Sequence, residues 1–94
     1  MTTTTARHLT RPDEMRRNLA WLAAHSELAA YTYSTVVTTH DVTLQAEADY
    51  GFRMILAALP QGAELVDRSA HKGFAVRIYR LDGVLVRIVV EADQ

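Results

Sequence analysis

The chain has 94 residues, the length of one domain, and 49 % of them are hydrophobic, enough for one modest core. Ten basic and eleven acidic side chains leave a net charge of −1, which argues against a general nucleic-acid binder, an acidic DNA mimic or a protein drawn to anionic membranes. No Cys is present, so disulfides, thiolate nucleophiles and zinc sites built on Cys are excluded.

Residues 1–9 read as a flexible polar tail and 10–94 as a single domain. Met1-Thr2-Thr3-Thr4-Thr5-Ala6-Arg7 lacks the apolar stretch of a signal peptide, and no apolar run is long enough to span a bilayer. A cytoplasmic location is the expectation, with no membrane partner. The first helix opens at Thr10-Arg11-Pro12-Asp13-Glu14. Pro suits the first helical turn, and the two acids complement the helix dipole. The helix is predicted to run to about Ala30, with Met15, Leu19, Leu22 and Ser26 on the face that meets a sheet. A second stripe, Trp21, Ala24 and Leu28, lies well off that face. It is either covered by the chain's own loops or pressed against another molecule.

Residues 31–48 are rich in Thr and Val and read as extended. Tyr33 to Val37 forms a short edge strand, with a break near Thr39-His40-Asp41. Val42, Leu44, Ala46 and Ala48 then alternate with Thr43, Gln45 and Glu47, the pattern of a half-buried strand. Asp49 can cap a second helix over Tyr50 to Leu59, whose apolar face is Phe52, Ile55, Leu56 and Leu59. Pro60-Gln61-Gly62 ends it. A strand follows at about Ala63 to Ala70, then a turn at His71-Lys72-Gly73. Phe74 to Leu81 and Val84 to Val90 are β-branched runs joined by Asp82-Gly83, the dipeptide favoured in two-residue type I′ hairpins. The order α-β-(β)-α-β-β-β predicts an α+β fold: an antiparallel sheet of four to five strands with two helices on one face.

A tight turn at Asp82-Gly83 pairs Leu81 with Val84, Tyr79 with Val86 and Arg77 with Ile88. One face then holds Tyr79, Leu81, Val84, Val86, Ile88 and Val90. The other holds Phe74, Val76, Ile78, Leu85 and Val89, with Arg80 and Arg87. Both are too apolar for either to be simply wet. Either a bulge shifts one strand, or the outer face is covered, most simply by a second copy.

Chemistry motifs are missing. His8, His25, His40 and His71 show no metal-binding helical spacing, and a site would require folding to bring His40 or His71 to Asp41, Asp67 or Glu64. No GxSxG, phosphate-binding glycine loop or dinucleotide fingerprint occurs. Gly51, Gly62, Gly73 and Gly83 sit at boundaries and turns, Glu47 and Asp49 read as strand-end and capping acids, and Ser26, Ser34 and Ser69 lack a visible base. The expectation is no catalytic residue, no metal, no cofactor and no enzyme, with a small hydrolase or metal-dependent enzyme as an alternative. Arg77, Arg80 and Arg87 beside Tyr79 suggest an alternative, a sheet face holding single-stranded nucleic acid. Glu64, Asp67 and Glu91 can neutralise these arginines across the sheet.

The stretch from Asp41 to Glu91 runs as an alternating strand, a helix ending in Ala57-Ala58-Leu59, a short turn and strand, and a hairpin closing on Leu81-Asp82-Gly83-Val84. It resembles a group of small proteins from high-GC actinobacteria, their phages and integrated elements, and Leu19 to Ala29 resembles the segment that precedes the strand there. That group shows a Trp where Leu65 stands and Phe-Gly-Gly where Leu81-Asp82-Gly83 stands. The resemblance implies an accessory protein of a mobile element or its host, with no activity or catalytic residue to transfer. Together these features predict a non-enzymatic protein-interaction module. It pairs with itself as a homodimer, binds a host protein, or both, through Trp21, Leu28, Phe74, Val76, Ile78, Leu85 and Val89.

Overall fold

A computed structural model describes residues 11–46 and 48–91; the expectations for the tail at 1–9 and for Glu47 lie outside them. The elements are α1 (Arg11–Ala24), a 3-10 helix (Ser26–Tyr31), β1 (Thr32–Val37), β2 (Val42–Ala46), α2 (Ala48–Ala58), β3 (Glu64–His71), β4 (Phe74–Leu81) and β5 (Val84–Glu91). The fold is α+β in the expected order, with the short edge strand present as β1.

The five strands lie in the order β1-β2-β5-β4-β3. All neighbours are antiparallel except β2 and β5, which run parallel, so the expected antiparallel sheet is a mixed one. The parallel pair is possible because the chain between them, α2 and the β3–β4 hairpin, is long enough for a crossover. The crossover makes β5 the middle strand. Its alternation is correspondingly clean, with Val84, Val86, Ile88 and Val90 buried and Arg87 and Glu91 exposed.

All the helices pack on one face of this sheet. The core joins Trp21, Leu28, Phe52 and Ile55 from the helices to Val42, Leu44 and Ala46 of β2 and to Leu81, Val84, Val86, Ile88 and Val90 of the last hairpin. Leu56 and Leu59 pack against its margin, so the predicted apolar face of α2 is the observed one.

The predicted face of α1 is not. Leu19 is 49 % exposed, Met15 and Leu22 are only half-buried, and Ser26 is exposed beyond the helix end. Asn18 and Trp21 point inward instead, at 1 % and 5 % exposure. Asn18 Nδ2 donates to the Thr38 carbonyl at 2.7 Å, fixing α1 to the turn between β1 and β2. The helix also stops early, because the His25 N–H is shared between the Trp21 and Leu22 carbonyls at 3.1 Å each. Such sharing is common at helix ends, where the last turn tightens. The 3-10 turn that follows carries Leu28 into the core with no exposed surface.

Candidate functional site

Two tight hairpins set the geometry of the β3-β4-β5 ribbon. Lys72 and Gly73 have φ of 50° and 83°, and Asp82 and Gly83 have 54° and 78°. Positive φ at both central residues is the type I′ turn. Pairing across the second turn runs without interruption from Leu81↔Val84 to Phe74↔Glu91. Of the two arrangements considered for this hairpin, the bulged one is therefore excluded. The bulge lies instead in β3, between Leu65 and Asp67, and another in β1, between Thr32 and Ser34.

The consequence is an open sheet face with a substantial apolar strip. Phe74, Val76 and Ile78 of β4 lie beside Leu85 and Val89 of β5, opposite the helix layer. Phe74 is 39 % exposed, and the other four are half-buried, shielded by one another. Val36 of β1, opposite Thr43 in the register, extends the same face. Charges rim the strip. Arg80 reaches Glu64 at 3.5 Å, Arg87 reaches Asp41 at 3.6 Å, Asp67 stands opposite Ile78, and Glu91 stands opposite Phe74. The Asp41 carboxylate is held by the Thr38 hydroxyl at 3.0 Å, and that hydroxyl accepts the N–H groups of His40 and Asp41. The β1–β2 turn thus aims one acid at Arg87.

No family model, no curated protein and no solved structure matches this chain.

The other expected site residues divide. Trp21 and Leu28 lie in the core, so the stripe they form is covered by the chain itself, and their expected role at an interface is corrected. The ring of Trp21 stacks on His25 at 4.4 Å between centroids, and its Nε1 is buried with no hydrogen-bond partner. Arg77, Arg80, Arg87 and Tyr79 do not form one surface. Strand alternation puts Arg80 and Arg87 on the open face, each with an acid partner, and Arg77 and Tyr79 on the helix side. Arg77 lies over the Phe52 ring at 5.6 Å. Among the described residues no three His, Asp or Glu side chains gather into a metal-sized cluster, and no helix is long and apolar enough to cross a membrane.

One residue escaped the sequence reasoning. Arg68 stands directly opposite Arg77 on the inner side of the β3–β4 pair. The observed two-residue turn at Lys72-Gly73 places His71 opposite Phe74, and counting back three rungs sets Arg68 against Arg77.

Proposed function

We propose that this protein is a non-enzymatic interaction module that pairs with a second copy of itself through the open face of its sheet. One observation carries this: the bulge-free β4–β5 hairpin keeps Phe74, Val76, Ile78, Leu85 and Val89 together on the face that no helix among the described residues covers. Strands about 4.8 Å apart and rising about 3.3 Å per residue make a five-stranded face of roughly 500–600 Å². Two such faces together lose on the order of 1,000 Å², about the minimum for a specific interface. The rim favours a second copy over a strongly charged partner. Arg80 and Arg87 stand among Glu64, Asp41, Asp67 and Glu91, so a two-fold axis through the face can set base against acid on both sides.

Solution mass by light scattering across a wide concentration range tests the proposal. A dimer is expected at micromolar concentration, reduced to monomer by Val76→Lys, which places a charge at the centre of the strip. Strand alternation turns Val76 away from the helix layer, so the variant should still melt cooperatively. A monomer at every concentration would overturn the proposal, and so would a dimer indifferent to Val76→Lys.

A further inference from the structure

The inner side of the sheet carries a second feature. Among the described residues no helix covers β3, and every side chain described on it is exposed. Just beyond the edge of the helix layer, Arg68 and Arg77 face each other across the β3–β4 pair. Side chains so opposed have Cβ atoms about 4.5–5.5 Å apart, and like charges there destabilise a sheet. Among the described residues no acid pairs with either; the arginine ion pairs are Arg16–Asp13, Arg53–Asp49, Arg80–Glu64 and Arg87–Asp41. The Arg77 guanidinium instead rests over Phe52, which fixes its position. On the next inner rung Ala70 faces Ala75, and two small side chains beside two long ones leave a hollow. The result is a concavity of about 340 Å³ lined by Phe52, Arg68, Ala70, Ala75 and Arg77, with the neighbouring strand residues Ser69 and Val76 at its wall. That volume lies within the range of small-molecule sites, about 300–1,000 Å³.

We propose that this concavity binds a small phosphate monoester, with the phosphoryl group between Arg68 and Arg77 and the organic part over Ala70 and Ala75. A carboxylate has one charge and two oxygens, which a single guanidinium fork satisfies. A phosphate monoester carries nearly two charges and three outer oxygens, matching two forks at once. The same anion cancels the repulsion between the two guanidinium groups.

Titration of the full-length protein with phenyl phosphate and with inorganic phosphate, followed by backbone amide shifts, tests the assignment. The expected result is saturable binding centred on residues 68–70 and 75–77, with phenyl phosphate at least about tenfold tighter than the bare ion. Arg68→Gln and Arg77→Gln should each weaken phenyl phosphate by about tenfold or more. Arg80→Gln, on the opposite face, should leave it unchanged. Arg68→Gln should not lower the melting temperature, since it removes a like-charge repulsion, whereas Arg77→Gln also gives up the contact with Phe52. The assignment is overturned if phenyl phosphate fails to saturate at millimolar concentration, if Arg77→Gln binds it as well as the unaltered chain, or if inorganic phosphate binds equally well. A single-stranded oligonucleotide that binds more tightly per phosphate than phenyl phosphate would also overturn it, by marking an open polyanion surface.

Discussion

At the scale of single residues, Asn18 decides how α1 sits. A buried amide is costly unless it is hydrogen-bonded, and this one is bonded to a backbone carbonyl twenty positions away. The polar side chain stands where an apolar residue would have extended the stripe of Trp21 and Leu28 and marked it as the inward face. For that reason the periodicity of Met15, Leu19 and Leu22 pointed to the wrong face. Hydrophobic spacing cannot register an inward Asn whose partner lies in a distant turn. The energetic consequence is testable with Asn18→Leu, which keeps about the same volume and adds apolar surface. If packing alone mattered, the variant would be neutral or better. The carbonyl of Thr38 would instead lose its side-chain donor, and a loss of about 1–3 kcal/mol in unfolding free energy by urea titration is expected. A variant as stable as the parent would show that the amide does not hold the helix to the turn.

At the scale of elements, the hairpin at Asp82-Gly83 was the most legible part of the chain, because its turn chemistry and its β-branched flanks specify the same pairing. A two-residue turn at that dipeptide predicts the register and the two-faced apolar pattern, while the absence of a bulge, which keeps Phe74, Val76, Ile78, Leu85 and Val89 together, is seen only in the uninterrupted pairing. The parallel contact of β2 with β5 was not legible, since alternation shows that a strand is half-buried but not which neighbour it chooses. The Arg68–Arg77 pair was hidden for a related reason: it depends on a turn at Lys72-Gly73 with no Asn-Gly or Asp-Gly to announce it. Turn chemistry should also dominate the response to mutation. A Cβ at position 83 would meet nothing closer than Arg17 Nη1 at 3.7 Å, so space is not the obstacle. The backbone is, at φ +78°. Gly83→Ala should cost about 1–2 kcal/mol, the penalty of the left-handed region for a residue with a Cβ. Gly83→Asn should cost well under half as much, because Asn tolerates that conformation. Equal costs, compared by chemical denaturation, would place the cause in contacts rather than in the turn.

At the scale of the whole molecule, one face of the sheet is loaded and the other is bare. The helix layer covers β2, β5 and part of β4, and every fully buried side chain lies on that side. The open strip is therefore independent of the core, and a charge placed in it should disturb association without disturbing folding. If the second copy supplies the missing cover, folding and pairing are linked, and stability must depend on protein concentration. A tenfold rise in concentration adds about 1.4 kcal/mol per dimer, or about 0.7 kcal/mol per protomer. For a domain of this size that corresponds to roughly 3–5 °C in melting temperature. The shift should persist at high sodium chloride, because apolar burial is not screened, whereas pairing through Arg80 and Arg87 alone would fade as the Debye length shrinks to about 3 Å at molar salt. Calorimetric scans over two decades of concentration, at low and high salt, separate these cases. A melting temperature independent of concentration means that the open face carries no copy of itself. A dependence that salt abolishes means that the charged rim, and not the apolar strip, holds the pair together.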